Sequence, residues 1–440
     1  MVELFPPTAR FCPTMATSAF SRLPGFRDFA PEDFALRSHI FDAWRQTSRR
    51  YGFLEYDGPP LELLDLYVEK SGEEIVGQLY NFVDKGDRPV ALRPEMTPSL
   101  ARILGDRSRG MAKPIRWFSI PQLFRYERQQ RGRLREHFQL NVDIVGEASV
   151  HADAEVVAVG IDALRALGLT SADFYARVSD RRLLSVVLGA CGVDETRLPA
   201  AFAVVDKLER QPRDKSHERL MAEAGLDADA ANGALDLFEA KGLAAVTQRF
   251  GHRDDVGPAL EPLHEYVKAL EAMGLGDYVE VDLGIVRGLA YYTGIVFELF
   301  DRKGELRAIC GGGRYDRLLE LVGGEPLPAV GFGMGDVVLG ELLRDRGLVP
   351  EYKRDLDYYI VVVSEEQRPQ ALSIAHRLRE GGARVAYSLG EQSVGKQMKA
   401  AQKEGAREVL VIGPDEVARG CVRSRDMTTG EERDIAVDAL

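Results

Sequence analysis

Strand-forming segments stand on both sides of a long stretch that contains almost none, and this order most constrains how the chain can fold. Residues 80–146 hold short runs of β-branched and aromatic side chains, broken by glycine and proline. Residues 180–275 instead repeat leucine, alanine and charged side chains at helical intervals. Strand character returns in residues 279–286 and 295–300. We therefore predict one antiparallel sheet whose strands are separated in sequence by a helical insertion.

The two flanks of this region carry different patterns. Pro31 is followed by two acidic residues and begins a helical periodicity. Gly52 is the expected end of this helix. Residues 357–440 alternate β-branched runs with helical segments, which is typical of a three-layer α/β domain with a mainly parallel sheet. The expected fold class is α/β with an α+β core. The predicted parts are a disordered extension (1–18), the core (19–179 and 276–346), the insertion (180–275), a linker (347–356) and the α/β domain (357–440).

Composition narrows the cellular setting. The 440 residues carry a net charge of −12, which argues against a uniformly basic surface but does not exclude one local basic patch. The four cysteines are far apart, so neither a zinc knuckle nor a disulfide framework is indicated. No apolar run approaches the roughly 18 residues of a membrane span. We expect a cytoplasmic protein, with Met15 as an alternative start to Met1.

Residues 124–139 are the most basic segment of the chain. Five arginines lie between Arg125 and Arg135, across a strand, a glycine-containing loop and a returning strand. Arginine forks suit phosphate oxygens and stabilise charge that develops during transfer at phosphorus. The segment thus suits a polyphosphate site, although on composition alone a solvated hairpin with cross-strand Arg–Glu pairs is the favoured explanation.

Two further segments combine glycine with tyrosine. Residues 286–294 contain Arg287 and paired tyrosines, and residues 309–316 contain three consecutive glycines. Such glycines let a ligand or another backbone approach closely, which suits an amino-acid or nucleotide pocket. Two hairpins with glycine turns and core tyrosines are the alternative. The glycines match neither the Walker nor the dinucleotide fingerprint.

Two acidic residues complete the set of candidate binding groups. Glu95 lies in an Arg-Pro-Glu-Met-Thr-Pro run, and Asp143 ends an Asn-Val-Asp run. An ionised carboxylate only accepts hydrogen bonds, so Glu95 suits an ammonium group and Asp143 an imidazole N–H. Ordinary turn or surface chemistry explains either residue on its own.

In this order, the segments resemble the histidyl-tRNA synthetases, a family of class II aminoacyl-tRNA synthetases. The resemblance runs from about residue 23 to the C-terminus. The matching segments are residues 34–60 (the dimer-forming first motif), 124–139 (the second motif), 286–292 and 312–316 (two histidine-family signatures) and 329–335 (the start of motif three). It implies a class II antiparallel sheet flanked by helices and a C-terminal anticodon-binding domain.

The resemblance also implies roles for individual residues. Arg125 and Arg287 are the implied catalytic residues at the α-phosphate of ATP, Arg287 standing where other class II enzymes use a metal. The implied histidine-binding residues are Glu95, Thr97, Arg125, Gln139, Asp143, Arg287, Tyr291, Tyr292 and Tyr315. The implied ATP-binding residues are Arg125, Glu127, Arg133, Arg135 and His137.

Three positions depart from the family pattern. Motif three usually ends in a Glu-Arg pair whose arginine contacts the ATP tail, but here Gly335 is followed by Asp336-Val337-Val338. Ala290 stands where the signature commonly has aspartate. His137 takes the place of a phenylalanine under adenine.

The implied enzyme activates L-histidine with ATP to histidyl-adenylate and transfers the histidyl group to the 3′ end of tRNA(His). ATP with Mg²⁺ is the expected substrate complex, with no permanent cofactor and no metal held by protein ligands alone. A homodimer is expected, without membrane or DNA as partner. One alternative is a catalytically silent, synthetase-like regulatory subunit of ATP phosphoribosyltransferase. Another is a tRNA-sensing or scaffolding protein.

Overall fold

The computed structural model describes residues 21–71, 73–128, 130–208, 211–238, 241–287, 292–321, 323–352, 354 and 356–440. The extension expected at residues 1–18 lies outside these ranges. The chain forms two compact units, one ending at Pro350 and the other comprising Glu351–Leu440. Within the described ranges, no helix is both long and apolar enough to span a bilayer.

The first unit contains strands and helices in alternating groups. Its strands are β1 (Leu54–Glu55), β2 (Leu61–Leu63), β3 (Asn81–Val83), β4 (Pro89–Leu92), β5 (Ile115–Ser119), β6 (Gln122–Phe124), β7 (Glu136–Val145), β8 (Phe174–Asp180), β9 (Val279–Val281), β10 (Ile295–Asp301), β11 (Cys310–Arg314) and β12 (Ala329–Gly335). Its helices are α1 (Pro31–Arg50), α2 (Asp65–Ser71), α3 (Thr97–Arg107), α4 (Val150–Arg165), α5 (Arg181–Ala190), α6 (Leu198–Val205), α7 (Arg213–Ala224), α8 (Ala228–Phe238), α9 (Leu243–Phe250), α10 (Gly257–Ala272), α11 (Leu318–Leu321) and α12 (Asp336–Asp345).

The central sheet has the order β1-β5-β7-β12-β11-β10-β8-β9, and β6 also pairs with β7. Neighbouring strands run antiparallel except for the pairs β1–β5 and β8–β9. The predicted antiparallel sheet is therefore confirmed. A smaller sheet, β2-β4-β3, stands apart from it.

One face of the central sheet is apolar and is covered by helices. Successive side chains of a strand point to opposite faces, so Leu140, Val142 and Ile144 of β7 share one side. All three are buried in a core that includes nearly the whole apolar surface of α4. Helix α1 begins at Pro31 as expected and contributes Ile40 and Trp44 to the same core.

The predicted insertion folds as helices. Between β8 and β9, the described residues form α5 to α10 with no strand among them. These helices do not have a separate core, since Leu220, Val246 and Tyr266 belong to the apolar cluster that also holds the sheet and α4. The insertion is thus packed into the first unit rather than appended to it.

The triple glycine is not a turn. Gly311–Gly313 lie within β11, hydrogen-bonded between β10 and β12. The alternative of hairpins with glycine turns is therefore wrong for this segment. A Cβ on Gly313 would lie 2.7 Å from the carbonyl oxygen of Ile295, and one on Gly312 would collide with the neighbouring strand. Crowding across the sheet, not a turn, explains these two glycines.

The second unit is a separate three-layer domain. Its strands are β13 (Leu356–Val362), β14 (Val385–Tyr387), β15 (Ala406–Ile412), β16 (Cys421–Asp426) and β17 (Glu432–Ala436), and its helices are α13 (Arg368–Glu380), α14 (Val394–Lys403) and α15 (Pro414–Ala418). Helix α13 packs with Ile360 on one face of the sheet and α14 with Val361 on the other, which confirms the three layers.

The order of the second sheet is β14-β13-β15-β16-β17. The pairs among β13, β14 and β15 are parallel, whereas β16 and β17 form an antiparallel hairpin. The expectation of a mainly parallel sheet is thus correct for the first three strands only. The hairpin escaped prediction because arginines and acidic residues occupy its outward positions and mask its strand character.

Candidate active site

The second face of the central sheet is polar where it lines a cavity of about 620 Å³. On β7, Gln139, Asn141 and Asp143 alternate with the buried leucine, valine and isoleucine and so point to this opposite side. The two-residue period of the strand therefore separates the core from the cavity.

Glycines on the neighbouring strands keep the cavity open. Gly331 pairs with Asp143 across β12 and β7, and a Cβ on Gly331 would collide with the Asp143 carboxylate. A Cβ on Gly333 would lie 2.7 Å from the amide of Gln139. On β11, a Cβ on Gly311 would overlap the guanidinium of Arg287. These three glycines make room for the polar groups laid over the sheet.

Arg287 is held in an uncommon backbone conformation. Its φ of +54° lies in the left-handed region, which costs a non-glycine residue free energy. Arg181 donates hydrogen bonds to the carbonyl oxygens of Val286 and Arg287 over 3.4 and 3.3 Å. The Arg287 side chain donates from Nη1 to Oε1 of Glu298, 2.7 Å away on β10. Backbone and side chain are both fixed, and the guanidinium lines the cavity.

Arg125 reaches the same cavity from the segment after β6. Its Nε donates to the carbonyl oxygen of Pro94 over 3.1 Å, and its backbone N–H donates to Arg135 over 2.9 Å. Two guanidinium groups from distant parts of the sequence, Arg125 and Arg287, thus line one cavity. Fixed, partly dehydrated cations of this kind stabilise a negatively charged transition state more strongly than cations in water.

Asp143 is a buried carboxyl group on the floor of the cavity. Burial raises its pKa to about 7, although the Tyr315 hydroxyl, which donates to Oδ1, opposes that rise. Tyr315 follows Arg314, whose guanidinium is buried and donates to both carboxylate oxygens of Asp153 in α4. That ion pair anchors β11 to the helix below and fixes where Tyr315 stands.

The arginine-rich loop is held by contacts within itself and by ion pairs of Arg131 with Glu341 and Asp345 of α12. Arg133 forms an ion pair with Glu127, and Arg135 stacks on the ring of Tyr126 with 4.7 Å between the guanidinium carbon and the ring centre. The solvated hairpin with Arg–Glu pairs is thus partly correct, because Arg133 and Glu127 form such a pair. His137, on β7 beside this loop, has its pKa lowered to about 3 by burial and by nearby arginines, so its ring stays neutral.

Most of the residues singled out from sequence meet in this cavity. Those lining it are Glu95, Thr97, Arg125, Arg133, His137, Gln139, Asp143, Arg287, Tyr292 and Tyr315. Glu127 and Arg135 do not line it, and Tyr291, like Ala290, lies outside the described residues. Sequence reasoning missed Asn141 as a cavity residue, and also Arg177, Glu298 and Arg307. Only the two-residue period of the strands could have indicated Arg177 and Glu298.

The corner of the cavity beside α12 has an unusual composition. Val338 lines it, where the resemblance leads one to expect arginine. The neighbouring Asp336 is buried, accepts a hydrogen bond from Arg27 over 2.8 Å and accepts another from the Phe138 N–H over 2.9 Å. Arg27 also donates to Glu136 over 2.6 Å. Arg27 therefore ties the start of β7 to the start of α12.

Comparison with known proteins decides which family has this site. The model of the histidyl-tRNA synthetase family matches residues 25–335, which contain every residue that lines the cavity except Val337 and Val338. The chain belongs to the histidyl-tRNA synthetase family. Members of this family are class II aminoacyl-tRNA synthetases. A second model, for an anticodon binding domain, matches residues 357–440.

Individual relatives agree with the family model. The histidine–tRNA ligase of Opitutus terrae is 47% identical, over 96% of both chains. The chloroplastic/mitochondrial histidine–tRNA ligase of Arabidopsis thaliana is 39% identical over 94% of this chain and 85% of its own. The similarity of this histidyl-tRNA synthetase family member to these ligases spans both of its units.

Solved structures show the same fold. The histidyl-tRNA synthetase of Nostoc sp. PCC 7120 superposes with a TM-score of 0.80 at 25% identity, covering 96% of this chain and 98% of its own. A Bacillus halodurans structure described as an ATP phosphoribosyltransferase regulatory subunit/histidyl-tRNA synthetase gives 0.73 at 25% identity, over 88% and 97%. The relatives of higher identity are ligases, so the regulatory-subunit alternative is not favoured.

Proposed function

We propose that the chain is a histidine–tRNA ligase that makes histidyl-adenylate from L-histidine and ATP and then charges tRNA(His). The single observation that carries this proposal is that Arg125, Arg287 and Asp143 line one cavity in a member of the histidyl-tRNA synthetase family. Two arginines suit a phosphate, and a buried carboxyl group suits the side chain of histidine.

Adenylation would need little proton chemistry from the protein. The histidine carboxylate is already a nucleophile, and one of its oxygens forms a bond to the α-phosphorus of ATP. The bond between the α-phosphorus and the oxygen that bridges to the β-phosphate breaks, and pyrophosphate leaves. No general base is required. Arg125 and Arg287 would bind the α-phosphate and offset its added charge, and the rigid Arg287 would hold the in-line geometry.

Selection of histidine would depend on groups at the other end of the cavity. Glu95, Thr97 and Gln139 would hold the α-amino group, and Asp143 with Tyr292 and Tyr315 would bind the imidazole. A competitor without two ring nitrogens could not replace the imidazole hydrogen bonds, which Asp143 would form in addition to the one it accepts from Tyr315. Buried polar groups left without partners cost enough free energy to give large discrimination without editing.

ATP would enter with Mg²⁺ as its substrate complex, bound by Arg125, Arg133 and His137 on the nucleotide side. Glu127 and Arg135 belong to the same proposed ATP-binding set. Because they do not line the cavity, they would have to move when ATP binds. The domain at residues 357–440 would bind the anticodon. We further propose a homodimer through the α1 region and a cytoplasmic location.

Two assays test the proposal. Histidine-dependent ATP–pyrophosphate exchange should be present and should not occur with phenylalanine or glutamine. Charging of tRNA(His) with labelled histidine should then follow. Folded protein that binds histidine but shows neither activity would refute the ligase function and favour a regulatory role, for which association with a phosphoribosyltransferase is the next measurement. Binding of tRNA without either activity would favour a scaffold.

A further inference from the structure

The cavity contains an arginine that the family resemblance did not indicate, and it lies beside the corner where motif three lacks one. Arg307 is on the connection between β10 and β11, three residues before β11 begins. It lines the same cavity as Gly132, Arg133 and Val338. Its position in the sequence is 31 residues before Val338, yet the fold brings the two side chains to one place.

The surroundings of Gly132 show how close the side chains of Arg307 and Val338 lie to each other. A Cβ built on Gly132 would lie 3.1 Å from Cγ2 of Val338 and 3.8 Å from Cδ of Arg307. Gly132 has a φ of +73° in the turn between Gln130 and Arg133, where glycine is the favoured residue. The stem of Arg307 and the side chain of Val338 thus converge under this turn.

Arg307 is exposed and lies at the surface of the cavity. Its Nη1 donates to Oε1 of Gln130 over 3.3 Å, a neutral partner on an exposed part of the turn. In contrast, Arg177 also lines the cavity but is buried, and it donates to the Asp282 carboxylate over 2.6 Å. An exposed guanidinium can turn to an incoming anion at lower cost than a buried one, so Arg307 is better placed than Arg177 to meet phosphate oxygens.

We propose that Arg307 binds the β- and γ-phosphates of ATP, and therefore the pyrophosphate that leaves, in place of the missing motif-three arginine. This inference rests on the proposed function and adds a residue to it. The chemistry is that of a guanidinium fork on phosphate oxygens, and Arg133 lines the same cavity. Val338 then serves as the apolar support under the stem of Arg307.

Direct binding of nucleotides is the decisive test. Arg307→Ala should weaken ATP binding to the full-length protein by about 10- to 100-fold, the usual range for a lost charge-assisted hydrogen bond. AMP, which lacks the β- and γ-phosphates, should bind the variant and the wild type equally well. Equal ATP affinity of the two proteins would overturn the proposal, as would an equal loss for ATP and AMP.

Two further variants separate direct contact from support of the turn. Gln130→Ala removes the hydrogen-bond partner of Arg307 but keeps the guanidinium, so ATP affinity should be nearly unchanged. If it reproduced the Arg307→Ala loss, Arg307 would act through the turn and not on the nucleotide. Lys303→Ala, an exposed cation on the same connection but outside the cavity, is the matched charge control and should bind ATP normally.

Kinetics then distinguish this inference from the proposed function. In pyrophosphate exchange, Arg307→Ala should raise the KM values for ATP and for pyrophosphate together and leave the KM for histidine unchanged. Wild-type protein without exchange would refute the ligase function, while the comparison of ATP with AMP would still decide the role of Arg307.

Discussion

Arg287 donates a hydrogen bond from Nη1 to Oε1 of Glu298 over 2.7 Å, and it does so from a backbone whose φ is +54°. The two residues are 11 apart in sequence, and Glu298 lies on β10 next to the glycine strand β11. The carboxylate therefore fixes the direction of the guanidinium across the floor of the cavity. Strain in the backbone and a charged hydrogen bond at the side chain both favour a preformed site.

Arg287→Lys should reduce the kcat of pyrophosphate exchange by about 100-fold, a loss typical for one oriented donor at a transition state. Lysine keeps the positive charge but presents a point charge, so it cannot bind Glu298 and a phosphate oxygen with one planar fork. The thermal midpoint should change little. Exchange close to the wild-type rate would remove Arg287 from its proposed role. Glu298→Gln, which keeps one acceptor oxygen, should cause a smaller loss.

Asp143 should make the stability of the first unit depend on pH. Its folded pKa of about 7 lies above the ordinary value of 3.8, so the folded chain holds this proton more tightly than the unfolded chain. Stability therefore falls as pH rises from about 4 to about 7. Relative to Asp143→Asn, the wild type should lose about 2–3 kcal/mol between pH 5 and pH 8.

Thermal midpoints of both proteins over this pH range measure the effect, and a constant difference between them would contradict it. Tyr315→Phe is the companion variant. The Tyr315 hydroxyl lowers the pKa of Asp143, so its removal should raise that pKa further and extend the loss of stability to higher pH.

Arg27→Met should destabilise the first unit by about 3–5 kcal/mol, because it leaves the buried carboxylates of Glu136 and Asp336 without their shared cation. Urea denaturation monitored by tryptophan fluorescence gives the size of the loss. Arg22→Met is the matched control, since the ion pair of Arg22 with Asp28 is exposed on both sides and spans 3.8 Å. Equal stability of the two variants would show that Arg27 does not hold this junction.

Features of the fold that depend on neighbouring residues could be predicted from the sequence, whereas features that depend on tertiary contacts could not. The start of α1 at Pro31 depends on residues within one turn, and the alternation on β7 depends on the period of a strand. Strand β11 was not predicted because glycines have low strand propensity, and only crowding from β10 and β12 explains them. Arg27 and Asp336 are 309 residues apart, so no local pattern could pair them.

The candidate site shows the same division. Motifs indicated Arg125, Asp143 and Arg287, because each lies in a run whose residue types suit a ligand. Glu298 lies on β10 and Arg307 on the connection to β11, in segments with no such run, and only the tertiary fold brings them to the cavity. A residue that acts through its place in a sheet is visible in sequence only when the strand order is already known.

Removal of residues 351–440 should separate histidine activation from tRNA binding. Every residue lining the cavity precedes residue 340, and the two units have separate apolar cores, so the truncated protein should keep pyrophosphate exchange within about twofold. Charging of tRNA(His) should show a KM at least about tenfold higher. Residues 357–440 carry 12 basic and 14 acidic side chains, which provides no general attraction for RNA, so this loss would reflect specific contacts. An unchanged KM for tRNA would contradict an anticodon-binding role, and a loss of exchange would contradict the independence of the two units.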